Sequence, residues 1–253
     1  MKVALLYPHI LNLQGDFANY TVFERLCAYA DIDFDLNIIN SGDEYNLLDY
    51  DVVIVAAGEV AHFAYLHDEL QPRVKEIKKF VENGKILLVF GTSQALFGES
   101  IEREDGSTLT GLGLVPLKAH ERNSIYGDNI FGTTTYLESY YKLAGAQIRL
   151  LDFRYEYDEE FKPFAQLVYG EESQGQPAEG LLWHNSIFTN FHGPLMVMNP
   201  ELAWGIINHI EPATRQLPQP DFTYEVEQKR AYKVYTLNKV SEFSTKDLNS
   251  FEI

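Results

Sequence analysis

The sequence has almost no cysteine and no long apolar run, and each absence excludes classes of protein. Cys27 is the only cysteine among 253 residues, so neither an intrachain disulfide nor a thiolate cluster for zinc or iron–sulfur can form. No segment approaches the roughly 18 consecutive apolar residues of a membrane-spanning helix. Residues 1–17 carry one lysine and an apolar run broken by Pro8, unlike a secretory signal. We therefore expect a cytoplasmic protein that is not inserted into a membrane and needs neither a metal ion nor a cofactor.

Positive charge is also scarce. The chain has 20 Lys and Arg against 37 Asp and Glu, a formal net charge of -17 at pH 7. A nucleic-acid binder needs a basic face to neutralise phosphates, so we exclude that class. The same acidity argues against an anionic membrane surface. It favours solubility and is compatible with a basic partner protein.

Apolar strands alternate with helical patterns in the first part of the chain. Strands are predicted at residues 2–7, 34–38, 51–58 and 85–90. A stripe at helical spacing predicts the first helix, and it consists of Phe23, Leu26, Cys27 and Ala30. Asp16 is placed to cap that helix, and a longer amphipathic pattern predicts one helix over 60–82, ended by Gly84. This alternation predicts an α/β, flavodoxin-like fold: a mostly parallel sheet with helices on both faces.

The pattern changes from about Leu109 onward. A separate strand candidate lies at 186–191. Strand-like segments with few helices between them lie at 109–117, 129–137, 147–154 and 164–170. They predict an antiparallel extension of the sheet. Residues 170–180 predict a polar turn or flexible loop, and we interpret 155–160 as a solvated loop rather than a catalytic carboxylate pair.

The end of the chain predicts a helical tail. A helix with Pro200 in its first turn is expected over 199–210. Three prolines then mark a linker, at Pro212, Pro218 and Pro220. A final helix is expected over 222–238. We divide the chain into a domain at 1–210 and a linker and C-terminal tail at 211–253, which either covers its own core or docks on a partner.

Three segments rich in small residues follow predicted strands, at 56–58, 90–93 and 191–194. In a doubly wound sheet, ligands bind at the carboxyl ends of the strands. Small residues allow close backbone approach and can place N–H groups around a developing oxyanion. His192, just after a strand, is the candidate general base for a nucleophile on the strand–helix turn. The pattern is typical of a nucleophile–base hydrolase.

Several motifs, in this order, resemble those of a known family. They are LNLQGD at 11–16, Gly98 with DGSTLTGLG at 105–113, and FHGP at 191–194. The combination resembles the class I glutamine amidotransferases of the cobyric acid synthase type, and among them most resembles the glutaminase subunits of lipid II isoglutaminyl synthase. It covers residues 1–210 and implies the amidotransferase fold. It also implies hydrolysis of glutamine and delivery of ammonia to a Mur-ligase-like synthetase, which amidates a peptidoglycan precursor of the cell wall.

The cysteine nucleophile that the resemblance implies is missing. The family turn reads Cys-Gly-Gly-Tyr-Gln-x-x-Gly, and His192 matches the family base. Without gaps, Gly91 takes the place of the cysteine, and alignment on Gln94 places Phe90 there instead. Neither residue can attack a carbonyl. Cys27 lies on a core-facing stripe, which is the usual place of an inert buried thiol.

Other positions also depart from the family pattern. The strand before the first loop ends in Ala57 and Gly58 rather than in a glycine run, so a methyl group faces the expected oxyanion site. Ser124 falls where the family has a substrate-gripping arginine, with Arg122 nearby but out of register. Residues 153–158 read FRYEYD where an Asn-His-Gly-Gly segment is implied.

Two hypotheses stay open at this point. In the first, the chain is a pseudoenzyme that acts as a binding or regulatory subunit and holds glutamine or a related small amide. Its ligand site would be lined by Ala57, Gly58, Thr92, Gln94 and Ser124. In the second, Ser93 or Thr92 attacks the amide with His192 as base, since a hydroxyl needs an adjacent base to react. The structural interpretation of the two hydroxyls is that they cap the helix that follows.

Overall fold

The structure is a computed structural model, and it describes residues 1–172, 175, 177–239 and 246–253. Within these ranges, no helix is both long and apolar enough to cross a membrane. Positions 173, 174 and 176 of the predicted polar loop and positions 240–245 of the predicted tail lie outside the described residues.

The described part of the chain contains thirteen β-strands and eight α-helices. The strands are β1 (Lys2–Leu6), β2 (Asp35–Ile39), β3 (Val52–Val55), β4 (Ile86–Phe90), β5 (Ser100–Glu102), β6 (Thr108–Thr110), β7 (Leu117–Tyr136), β8 (Ser139–Tyr155), β9 (Phe161–Lys162), β10 (Ala165–Tyr169), β11 (Ala178–Glu179), β12 (Leu181–Trp183) and β13 (Ser186–Thr189). The α-helices are α1 (Asn19–Tyr29), α2 (Phe63–Leu70), α3 (Val74–Glu82), α4 (Ser93–Phe97), α5 (Leu195–Met198), α6 (Pro200–Ile210), α7 (Thr223–Asn238) and α8 (Lys246–Ser250).

A mostly parallel sheet forms the centre of the molecule. Its strand order is β2-β1-β3-β4-β13-β12-β9. The first five of these strands run parallel, and β12 pairs antiparallel with both of its neighbours, β13 and β9. Alternate side chains of β3 enter opposite cores: Val53 and Val55 pack with α2 and α3, whereas Val52 and Ile54 pack with α1 and α6. Because both faces are covered, every residue of β3 is apolar and buried. The predicted α/β class is confirmed.

The antiparallel strands form more than an extension of this sheet. Only β12 and β9 extend it, while β5, β6, β7, β8, β10 and β11 build a second sheet around the long β7–β8 hairpin. An isolated antiparallel bridge between Ala146 and His192 links β8 to the segment after β13. The predicted strand at 109–117 was wrong in its centre, because residues 111–116 lie between β6 and β7 and Gly113 has a left-handed φ of +64°.

The single helix predicted over 60–82 was also wrong. A 3₁₀ turn at Gln71–Arg73 separates α2 from α3. Pro72 has no backbone N–H to continue the ladder of hydrogen bonds, which explains the break. Gly84, with φ +78°, follows α3 and ends it as predicted.

The C-terminal helices pack against the second sheet. Leu248 and Phe251 join Phe131, Ala144 and Tyr169 in a small apolar cluster. Asn129 donates a buried hydrogen bond to the Thr236 hydroxyl of α7 at 2.5 Å. The described part of the tail therefore covers its own core. The domain boundary at residue 210 stays a prediction.

Candidate functional site

The carboxyl ends of β3, β4 and β13 lie side by side at one edge of the central sheet. Val55 pairs with Val89, and Thr189 pairs with Phe90, so the chain leaves all three strands at the same level. This register brings together the segments 56–58, 91–94 and 190–194. Gly91 N donates to Thr189 O at 2.9 Å and ties the turn after β4 to β13.

His192 forms a buried pair with a carboxylate that the sequence assigned to another role. Its Nδ1 lies 2.7 Å from Asp16 Oδ2, and the two side chains are 1% and 0% exposed. Asp16 was predicted to cap α1, which was wrong: it makes no cap hydrogen bond and lies in a 3₁₀ turn before the helix. Because a carboxylate oxygen accepts hydrogen bonds, Nδ1 is the donor in this contact and Nε2 is the ring nitrogen left for other groups.

The backbone of His192 forms hydrogen bonds in addition to the contact of its ring. His192 N donates to Ala146 O at 2.8 Å, and Ala146 N donates to His192 O at 3.0 Å. Nε2 is buried and has no hydrogen-bond partner among the described residues. In the described part of the chain, no hydroxyl or thiol therefore forms a hydrogen bond with this nitrogen.

Gly91 is the residue that faces this base. Its φ is +54°, and a Cβ placed on it would lie 2.7 Å from His192 Cε1, 3.1 Å from His192 Nε2 and 2.9 Å from the Ala57 Cβ. Real side chains do not approach so closely, so the imidazole fills the space where a nucleophile on this turn would begin. Phe90, the alternative position, is fully buried in the core on the α1 side of the sheet.

The hydroxyls of Thr92 and Ser93 bind the backbone of the neighbouring loop. Thr92 Oγ1 donates to Gly58 O at 2.6 Å and accepts from Gly58 N at 3.1 Å. Ser93 Oγ donates to Ala56 O at 2.7 Å. The prediction that they cap α4 was wrong, because Thr92 is the N-cap residue but makes no cap hydrogen bond with its side chain.

Cys27 is a core residue. Its Sγ donates to Met1 Sδ at 3.6 Å, and the side chain is fully buried. Burial raises the pKa of the Cys27 thiol to about 11, so the thiolate needed for nucleophilic attack is scarce at neutral pH. The structure does not bring this thiol to His192.

Gln94 and Tyr155 connect the turn to the second sheet. Tyr155 OH donates to Gln94 Oε1 at 2.9 Å, and both side chains are buried. The interpretation of residues 155–160 as a solvated loop was therefore wrong for Tyr155, the last residue of β8. Gln94 Nε2 and Asn190 Nδ2 are buried without hydrogen-bond partners in the described part of the chain.

Glu179 is a site residue that the sequence reasoning missed. It is 1% exposed; its Oε2 accepts from Thr189 Oγ1 at 2.6 Å and its Oε1 from Asn190 N at 2.7 Å. Burial raises the pKa of Glu179 to about 7, although those two hydrogen bonds and the nearby positive charge of Arg149 act to lower it. Its place in a polar Gly/Gln/Glu segment gave no signal of burial.

Ser124 lies apart from these buried groups. It is exposed, in the irregular stretch of β7 between Glu121 and Tyr126. Arg122 NH1 instead contacts Asp152 Oδ1 at 2.6 Å and Glu171 Oε2 at 3.0 Å. Ligand binding by Ser124 stays a prediction. Across the residues that the structure describes, no three His, Cys, Asp or Glu side chains converge as metal ligands.

Solved structures identify the fold. The glutamine amidotransferase TM1158 from Thermotoga maritima superimposes with a TM-score of 0.50 at 13% identity, covering 93% of both chains. The glutaminase domain of Trypanosoma brucei CTPS, solved with bound acivicin, gives a TM-score of 0.52 at 12% identity and covers 87% of this chain and 96% of that one. The chain has the fold of the class I glutamine amidotransferases.

Sequence comparison indicates which glutamine amidotransferases the chain resembles. The chain is 24% identical over 214 residues to the lipid II isoglutaminyl synthase (glutamine-hydrolyzing) subunit GatD of Streptococcus pneumoniae, over 82% of this chain and 79% of that protein. The predicted resemblance to these glutaminase subunits is confirmed. No family model matches, and the narrower cobyric acid synthase type stays a prediction.

Proposed function

We propose that the chain is a glutamine amidotransferase-like subunit without cysteine-dependent glutaminase activity. In this proposal it binds or regulates a Mur-ligase-like synthetase that amidates a peptidoglycan precursor in the cytoplasm. The observation that carries the proposal is Gly91, which occupies the turn facing His192 and leaves no room for a side chain. A buried, unpaired thiol such as Cys27 suits the reducing cytoplasm.

The chemistry of amide hydrolysis supports the loss of activity. Covalent attack needs a thiolate, or a hydroxyl whose proton an adjacent base can take. His192 Nε2 has no such partner among the described residues. The hydroxyls of Thr92 and Ser93 instead donate to backbone carbonyls at 2.6 and 2.7 Å. This geometry speaks against the alternative of a serine- or threonine-dependent amidohydrolase.

In the loop at 56–58, the backbone donor expected to stabilise an oxyanion already has another acceptor. Donors in an oxyanion hole must point at the developing charge. Here Gly58 N points at Thr92 Oγ1, 3.1 Å away. The Ala57 methyl lies beside Gly91, since a Cβ on Gly91 would lie 2.9 Å from it. Both contacts disfavour a tetrahedral intermediate at this turn.

The remaining polar atoms support ligand binding. Buried polar groups nearly always have a hydrogen-bond partner, yet His192 Nε2, Asp16 Oδ1, Gln94 Nε2 and Asn190 Nδ2 have none among the described residues. The carbonyl oxygen of a primary amide accepts hydrogen bonds and so suits Gln94 Nε2 and Asn190 Nδ2. Its NH2 group donates and so suits His192 Nε2 and Asp16 Oδ1. Glutamine or a related small amide is the ligand class that we assign to the site.

Ammonia release from glutamine tests the proposal. We expect the purified chain, alone and with the synthetase subunit, to release no more ammonia than its His192→Ala variant. The assay is coupled to glutamate dehydrogenase, and an active glutaminase serves as the positive control. Glutamine turnover that His192→Ala abolishes and Ser93→Ala or Thr92→Val reduces would establish the amidohydrolase instead.

A further inference from the structure

A groove lies between the first helix and the start of the C-terminal helix, outside the site described above. It is a cavity of about 830 Å³ between α1, α5 and residues 220–228, and we call it the α1–α7 groove. Its walls include Val22 and Tyr29 of α1, Val197 of α5, and Phe222 and Tyr224 at the start of α7. Cavities of this size accommodate a ligand or several side chains of a partner.

The walls of the groove expose large apolar side chains on an otherwise acidic chain. Tyr224 is 70% exposed, Tyr29 is 50% exposed and Val197 is 39% exposed. Single exposed apolar residues are ordinary, but several around one concave surface mark an interaction site. Tyrosine is also enriched in the energetic centres of protein interfaces.

The charges at the groove favour a cationic occupant. Asp221 is exposed and takes part in none of the ion pairs between described residues. Glu225 pairs with Arg25 at 3.4 Å, but the Arg25 side chain is 76% exposed and so the pair is loosely held. The lining of the groove thus carries two carboxylates and one arginine, on a chain of net charge -17. A lysine or arginine beside an apolar anchor would complement this surface.

The groove is connected to the buried site through two of the elements that form it, α1 and α5. α1 follows the turn that holds Asp16, and α5 follows His192 by three residues. Met196 N donates to Asn19 Oδ1 at 2.7 Å in the interior and ties these elements together beside the Asp16–His192 pair. A partner bound in the groove would therefore contact both elements that position the imidazole.

We infer that the α1–α7 groove is the docking surface for the synthetase subunit, through a segment of that subunit that combines an apolar anchor with a lysine or arginine. The inference rests on the proposed function, since the occupant is the partner named there. It adds the surface and the chemistry of recognition.

The test measures the affinity of the purified synthetase subunit for the full chain by calorimetry. The Val197→Glu/Tyr224→Glu variant places charges in the groove, and we expect at least about a tenfold loss of affinity. The matched control is Val234→Glu/Tyr235→Glu, which changes the same residue types on α7 at positions 57% and 62% exposed and outside the groove. We expect the control to bind within about twofold of the native chain, as substitutions outside an interface do.

A second variant tests the charge. Asp221→Asn keeps the oxygen that accepts from Thr223 N at 2.9 Å and removes the carboxylate. We expect a loss of several-fold at low ionic strength that disappears in about 1 M salt, where screening is nearly complete. Circular dichroism and thermal melting verify that each variant is folded.

The possible outcomes separate the groove assignment from the proposed function. If both double variants bind like the native chain, the groove assignment is overturned and the subunit proposal stands. If the native chain does not bind the synthetase subunit at all, the proposed function and the groove assignment fail together. If the native chain alone sediments as a dimer that Val197→Glu/Tyr224→Glu dissociates, the occupant is a second copy and the synthetase assignment is overturned.

Discussion

At the scale of single residues, Gly91 combines two constraints that are usually separate. Its φ of +54° lies in the left-handed region, which disfavours any residue with a Cβ. Its surroundings, the His192 ring and the Ala57 methyl, leave no volume for that Cβ. Gly42 offers a comparison, because its φ of +82° imposes the first constraint while no atom lies within 4 Å of the Cβ position.

Gly91→Ala should therefore destabilise the protein more than Gly42→Ala. Backbone strain alone predicts a loss of about 1 kcal/mol at Gly42, and overlap with a packed core raises the loss at Gly91 to about 2–4 kcal/mol. Urea denaturation measures both. Gly91→Cys should lose similar stability and release no ammonia from glutamine. Equal losses at the two glycines would show that the imidazole moves aside freely.

Glu179 predicts a pH dependence of stability. Its pKa rises from 4.5 in the unfolded chain to about 7 in the folded one, so the folded state binds the extra proton between these values. Folding is therefore favoured at low pH, and stability falls as pH rises through this window, by up to about 3 kcal/mol.

Glu179→Gln should remove this dependence. Its stability relative to the native chain should increase from pH 5 to pH 7.5, as measured by urea denaturation at each pH. The control, Glu82→Gln, changes an exposed carboxyl and should keep the fall in stability that Glu179 causes between pH 5 and pH 7.5. A constant difference for Glu179→Gln as well would contradict burial of this carboxyl.

At the scale of secondary-structure elements, α7 is attached to the body through a buried lysine. The Lys229 side chain is 3% exposed, donates to Lys142 O at 3.1 Å and forms an ion pair with Glu201 of α6. Burial lowers the pKa of Lys229, although the Glu201 carboxylate opposes this effect. Most helical stability comes from tertiary contacts of this kind.

Lys229→Met should weaken the attachment of α7. The substitution keeps the length of the apolar stem but leaves Glu201 without its cation, so we expect a loss of about 2 kcal/mol. Hydrogen exchange should show faster exchange of α7 amides, with smaller effects in the central sheet. Arg230→Met, at a side chain 53% exposed, is the control and should change stability by less than about 0.5 kcal/mol. Unchanged exchange in Lys229→Met would mean that apolar packing alone holds the helix.

At the scale of the whole molecule, two sheets meet at the segment after β13. The central sheet presents its carboxyl edge there, and the Ala146–His192 bridge joins that edge to β8. The site thus collects groups from distant parts of the chain: Asp16 and His192 are 176 positions apart, and Tyr155 and Gln94 are 61 apart. Only the closure of both sheets brings these side chains into contact.

Much of the architecture could be predicted from the sequence because buried strands and helices have characteristic patterns of apolar residues. The continuous apolar runs of β1, β3 and β4 indicate strands covered on both faces, and the structure has them in parallel. The break at Pro72 and the left-handed Gly113 were missed, although each follows from local backbone chemistry.

The sequence by itself determined that no cysteine stands on the turn after β4, because composition and motif order need no coordinates. Only the tertiary structure decided the roles of the neighbouring groups: Asp16 orients His192 instead of capping α1, and Thr92 binds Gly58 instead of capping α4. Local rules assign such side chains to the nearest helix end. A buried carboxylate or hydroxyl must instead satisfy its hydrogen bonds with whatever the fold places beside it, and those partners come from remote segments.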